Sequence, residues 1–154
     1  MTPAPADAAP CGGPGAERFA VAIPSDVGQI EGVVDAVVAR CAAHDFPRRA
    51  CALNVPVALS EALANAIVNG NGEDLAKRVQ VRACLDDRAL VVEVHDEGAG
   101  FDLDGSTRGP DGADFLERED GRGLFLMRSL MDQVEQFPAP DRGNVVRMTL
   151  RRSA

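Results

Sequence analysis

The chain has 154 residues, of which 45% are hydrophobic and 26% charged; this is ordinary globular usage, enough for one domain with a single core. Its formal net charge of −8 sets 24 acidic against 16 basic residues, which argues against a nucleic-acid surface, since phosphate binding needs a basic stripe to release counterions. An acidic surface suits steering toward a basic protein instead.

Residues 1–16, rich in Pro, Ala and Gly, offer too little apolar surface to offset ordering and read as a disordered tail before a domain at 17–152. Met1 to Glu17 lacks a basic segment followed by an apolar core. Glu17 to Ile23 alternates Phe19, Val21 and Ile23 with smaller or polar residues, as a half-buried strand does. Pro24-Ser25-Asp26 stops it, and Asp26 with Gln29 resembles a capping box. The helix that follows carries Ile30, Val33, Val34, Val37, Val38 and Cys41 on one side and ends near His44 to Pro47. That apolar side suits either the core or a homodimer interface.

A second helix is expected from about Asn54, with Pro56 in its first turn, to about Asn69, where Gly70-Asn71-Gly72 stops it. Val79 to Leu85 and Ala89 to His95 read as antiparallel strands joined at Asp86-Asp87-Arg88. Asp96 to Asp120 is polar and turn-rich, too long for a plain connection. Leu124, Met127, Leu130 and Met131 mark a short helix, and Val134 to Phe137 and Asn144 to Arg151 complete the strands. No apolar run approaches the roughly 18 residues of a membrane span. Cys11, Cys41, Cys51 and Cys84 form no C-x-x-C pair and no metal spacing with His44 or His95. Reduced thiols, a cytoplasmic location and no membrane contact follow as expectations. The element order predicts an α+β fold: a two-layer α/β sandwich with a mixed, mainly antiparallel sheet and helices on one face.

At about 100° per residue, Glu61, Asn65 and Asn69 share one stripe of the second helix, with Leu59, Leu63, Ala66 and Ile67 roughly opposite. Taken alone, a polar stripe is a solvated face. Asn is a poor helix former, however, so two at i, i+4 point to a task. An amide oxygen is a suitable hard ligand for Mg2+, and the Glu61 carboxylate can take a proton. Asp96 at a strand end could accept from the exocyclic amine of a base, with Gly98 and Gly100 letting the chain bend beneath it. Gly121-Arg122-Gly123 opens the late helix, where free amides can meet an anion. Each segment alone is an ordinary turn or helix start. In this order and spacing they read jointly as an ATP site.

Glu61-xxx-Asn65, the DEGAGFD segment and GRGLFLMRSLMDQVE together resemble the Bergerat-fold ATPases, and most closely the bacterial anti-sigma factor serine kinases, over about Glu17 to Arg151. The resemblance implies an ATP- and Mg2+-dependent serine/threonine kinase that binds a sigma factor and phosphorylates an anti-anti-sigma antagonist. It implies that Glu61 is the general base, Asn65 the magnesium ligand and Asp96 the adenine-recognising carboxylate. Gly98 and Gly100 match the adenine-side turn, Gly121, Arg122, Gly123 and Leu124 the phosphate-side end of a lid, and Arg108 to Asp120 the lid itself.

There are two departures. Asn69, also assigned to the nucleotide pocket, stands where many relatives have His, and Gly143-Asn144 replaces a common Gly-Thr, which leaves the hydroxyl contact near adenine to Thr149 or to none. Two rival readings remain. A sensor histidine kinase fragment would need a phosphoacceptor His on a helical hairpin, which neither His44 nor His95 offers. A non-catalytic ATP-binding anti-sigma module would not need the intact Glu61 and Asn65.

Overall fold

A computed structural model describes residues 2–3, 15–98 and 121–152 of the chain. Six strands form one sheet: β1 (Thr2–Pro3), β2 (Glu17–Pro24), β3 (Arg78–Leu85), β4 (Ala89–His95), β5 (Gln133–Pro138) and β6 (Asn144–Arg151), in the order β1-β2-β3-β4-β6-β5. Every pairing among them is antiparallel. Among the described residues three helices make the second layer: α1 (Ile30–Ala43), α2 (Val55–Ala64) and α3 (Gly121–Leu130). The α+β sandwich expected from the element order is the fold, but the sheet of the described residues is antiparallel throughout rather than mixed.

Alternation decides which strand face is covered. Val21 and Ile23 on β2, Val79, Val81, Ala83 and Leu85 on β3, Leu90, Val92 and Val94 on β4, and Met148 and Leu150 on β6 are all buried. They pack in one cluster with Val33, Val37 and Cys41 of α1, Leu59 and Leu63 of α2, and Met127 of α3. The apolar side of α1 therefore belongs to the core. On the other face of β4, the buried Glu93 pairs with Arg147 across the register at 2.7 Å and with His95 at 3.1 Å. A buried carboxylate held by two partners is the arrangement that offsets its desolvation.

Asp26 caps as expected, but its Oδ1 accepts from Gly28 N at 3.0 Å, because a short 3-10 turn, Val27–Gln29, precedes α1. The second helix starts earlier than the sequence suggested. Wide i→i+5 turns at Ala50–Asn54 precede α2, and Pro56 stands in the first turn of α2 itself. Pro56 lacks an N–H and its ring crowds the carbonyl four residues back; a widened turn relieves both conflicts.

Including a further wide turn at Asn65–Gly70, the continuous helix Ala50–Gly70 spans 21 residues and is by length and composition apolar enough to cross a membrane. This corrects the expectation that no apolar run is that long. Its Val55, Ala58, Leu59, Ala62, Leu63, Ala66 and Ile67 are buried in the protein's own core, which accounts for the composition.

Two further findings differ from expectation. Within the segment read as a tail, Thr2–Pro3 pairs with Val21 and Ala22, occupying part of the free edge of β2; residues 4–14 lie outside the described residues. Cys84, buried on β3, is disulfide-bonded, so among the described residues reduced thiols hold for Cys41 and Cys51. No spacing rule could have found a single bridge of this kind. Burial pushes the Cys41 thiol up to about 12, with the neighbouring Cys51 adding to the shift, so Cys41 is a poor nucleophile.

Candidate active site

The polar stripe on the second helix survives into the structure for two of its three members. Glu61 and Asn65 are half-buried, side by side, while the apolar residues between them face the core. Counting at 100° per residue fails beyond Asn65, where the wide turn begins. Asn69 lies exposed on that turn and is not without a partner.

The first turn of α3 lies over Glu61 and Asn65. A Cβ placed on the buried Gly123 would stand 3.0 Å from Glu61 Oε2 and 3.3 Å from Asn65 Nδ2, so only glycine brings this backbone so close without moving either side chain. Gly121 and Arg122 lie in the same turn; their backbone is helical. Leu124 packs its side chain against the core, so any phosphate contact there runs through its backbone. Asn54 Nδ2 donates to Leu130 O at 2.7 Å and ties the other end of α3 to the same long helix.

Gly123→Ala separates ATP binding from stability. Glycine costs a helix up to about 1 kcal/mol relative to alanine, and the atoms in the way are the ends of flexible side chains, so thermal unfolding should shift little. Displacing Glu61 and Asn65 should still weaken ATP binding roughly tenfold or more, measured by calorimetry. Unchanged affinity would remove this contact from the site.

Asp96 follows β4 and is enclosed by glycines from three elements. A Cβ on Gly70 would meet its carboxylate, a Cβ on Gly98 would meet Gly70 O, and a Cβ on Gly143 would meet Asp96 O. Only Gly98 of these three was singled out in the sequence as a site residue, because closeness between Gly70, Asp96 and Gly143 arises from tertiary packing. Gly143 also has φ of +92°, where a side chain is strained. Gly143→Ala should therefore cost roughly 2 kcal/mol or more in unfolding free energy, measured by denaturant titration; a loss within experimental error would contradict the packing described.

Asp96 Oδ1 accepts from Gly98 N at 2.9 Å and Asn144 N at 3.2 Å, and Asp96 N donates to Asn144 O at 3.0 Å. Asn144 thus acts through its backbone, a role its replacement of Thr does not disturb. Thr149 lies further along β6, paired with Val91 and Gln133. Among the described residues no donor is paired with Asp96 Oδ2. Burial raises the Asp96 pKa; the two N–H donors and the charges of His95 and Lys77 oppose that rise.

The site thus has two ends: a recessed acceptor at Asp96 and an oxygen-rich pair, Glu61 and Asn65, under the start of α3. Among the described residues no group of three or more His, Cys, Asp or Glu could hold a metal unaided. A carboxylate and an amide oxygen fit Mg2+, which keeps several waters and leans on its substrate's phosphates. Gly100 and the lid expected at Arg108 to Asp120 lie outside the described residues. The two histidines are engaged elsewhere: His44 Nε2 bonds Glu17 Oε1 at 3.0 Å, and His95 lies with Glu93 on the opposite sheet face.

Residues 23–150 match the model of the histidine kinase-like ATPase domain. The chain is 32% identical over 122 residues to the anti-sigma F factor of Thermoanaerobacter sp. (strain X514), covering 79% of this chain and 85% of that relative. It is 33% identical over 122 residues to the anti-sigma F factor of Caldanaerobacter subterraneus subsp. tengcongensis, with the same coverage of 79% and 85%. With the anti-sigma F factor of Bacillus subtilis (strain 168) it shares 32% identity over 101 residues, 62% of this chain and 66% of the relative.

Proposed function

The chain belongs to the histidine kinase-like ATPase domain family, and from that premise we propose that it is a cytoplasmic anti-sigma factor that is also a serine/threonine protein kinase. It sequesters a sigma factor and uses Mg2+-ATP to phosphorylate an anti-anti-sigma antagonist. The similarity to anti-sigma F factors over most of the chain supports the sigma-factor partner. The observation that carries the catalytic reading is the meeting of Gly123 with Glu61 and Asn65, which puts a proton acceptor, an amide oxygen and a helix start at one point.

In this reading Asp96 Oδ2 accepts from the adenine amine, while the first amides of α3, at Gly121, Arg122, Gly123 and Leu124, face the phosphates. Asn65 would hold Mg2+, which when bound neutralises charge on the β- and γ-phosphate oxygens. Gly98 turns the chain beneath the base. Glu61 takes the proton from a serine or threonine hydroxyl as its oxygen bonds to the γ-phosphorus. The bond from that phosphorus to the β,γ-bridging oxygen breaks, and ADP leaves with the electron pair.

Phosphorylation adds roughly two negative charges to the antagonist at neutral pH. The kinase itself carries −8, so repulsion would release the modified antagonist and free the kinase to hold the sigma factor. Competition measures this directly. Labelled sigma factor held by the kinase with ADP should be displaced by unmodified antagonist and retained in the presence of the phosphorylated form. Equal displacement by both, or a ternary complex of all three proteins, would contradict the switch.

A further inference from the structure

We propose that Asn71 is a positioning residue for base recognition: its side-chain amide fixes the Asp96-Glu97-Gly98 turn and so aims the Asp96 carboxylate at the base. The proposal rests on the reading of Asp96 as the adenine acceptor. Asn71 follows the wide turn that ends the second helix, and its sequence context, Gly70-Asn71-Gly72, is that of an ordinary helix stop. In the structure it is only 3% exposed, and the buried polar residues Ser25 and Glu93 are its only companions in that class among the described residues.

Every hydrogen-bonding group of the amide that matters is used. Oδ1 accepts from Glu97 N at 2.7 Å; Nδ2 donates to Ser25 Oγ at 2.9 Å and to Arg78 O at 3.1 Å. Glu97 N can only donate and Arg78 O can only accept, so the amide has one orientation and cannot flip. Ser25 Oγ in turn donates to Lys77 O at 2.7 Å, and Glu97 Oε2 accepts from Arg78 N. The end of β2, the end of the second helix, the start of β3 and the turn after β4 are therefore joined at one side chain.

The consequence for Asp96 follows from the peptide that links it to Glu97. Holding Glu97 N fixes that peptide, and Gly98 N, one residue on, donates to Asp96 Oδ1. With Asn144 N holding the same oxygen from β6, Oδ2 is left in one direction, beside Gly70. Without the Asn71 amide the part-buried Glu97 N–H would lose its acceptor, and the turn would move to find water. Oδ2 would move with it.

The test compares two nucleotides that differ only at the group Asp96 reads: ATP, and purine riboside triphosphate, which lacks the exocyclic amine. Calorimetry on the whole chain with Mg2+ should show wild type preferring ATP. Asn71→Ala should weaken ATP roughly tenfold while leaving purine riboside triphosphate nearly unchanged, so the preference collapses. Ser25→Ala, which removes an Nδ2 acceptor but keeps Oδ1 on Glu97 N, should give a smaller loss of the same kind. A preserved preference in Asn71→Ala, or equal weakening of both nucleotides, overturns the positioning role. If Asn71→Ala does not fold, an unaltered preference in Ser25→Ala overturns it. Lack of preference in wild type is a separate result, which would remove Asp96 from base recognition and this proposal with it.

Discussion

Glu61→Gln is expected to bind Mg2+-ATP within about twofold of wild type and to lose phosphoryl transfer by roughly 10²- to 10⁴-fold, the range a general base contributes. Glutamine has the shape of glutamate, so the contact with Gly123, where a Cβ would already be 3.0 Å from Oε2, is undisturbed. What changes is that an amide cannot accept the hydroxyl proton. Calorimetry and single-turnover transfer, done on the same preparation, check the two halves separately. Transfer at the wild-type rate would remove Glu61 from proton handling and favour a non-catalytic polar face.

Asp96→Asn is expected to lower ATP affinity roughly a hundredfold while leaving the fold as stable as wild type or more so. Oδ1 already accepts from Gly98 N and Asn144 N, so asparagine would keep its oxygen there and turn its NH2 toward the ligand. Two donors would then face each other at the adenine amine. The stability argument has the opposite sign. Burial raises the Asp96 pKa in the folded state, so the stability this group contributes is present below its unfolded pKa and is lost as pH rises through the folded one. The asparagine variant has no such loss. Its advantage in thermal unfolding should be largest near neutral pH and shrink as the solution is acidified through the carboxylate range. A variant that is both destabilised at neutral pH and still binds ATP tightly would contradict both arguments.

Much of this architecture is legible along the chain because its signals are periodic. Val79, Val81, Ala83 and Leu85 alternate with Gln80 and Arg82, and that alternation is the burial pattern of β3. The bounds of β4 and β6 fall where the apolar runs end. Glu61 and Asn65 share a stripe because they lie on a stretch with ordinary helical rise up to that point. The second helix departs at both ends for one reason: wide turns insert a residue. That hid the start at Ala50 and carried Asn69 off the calculated stripe.

Other features leave no local trace. Gly70 and Gly143 are turn glycines in the sequence and contacts of Asp96 in the fold. Asn71 has the appearance of a helix stop, and only the return of the chain at Ser25, Arg78 and Glu97 gives its amide a task. A cysteine such as Cys84 carries no sign of whether it is bridged. Contacts of this kind depend on which distant segments the sheet order brings together, and that order is a property of the whole core.

The measurement that bears most directly on the central claim is transfer of the γ-phosphoryl group from radiolabelled Mg2+-ATP to a candidate antagonist protein, followed by acid and base treatment of the product. The account expects label on the antagonist, stable to acid and released by strong base as a serine or threonine phosphate monoester is, and none when Glu61→Gln replaces wild type. Label retained on the kinase itself and lost in acid, as from a phosphohistidine, or bound ATP with no transfer to any antagonist, would contradict it.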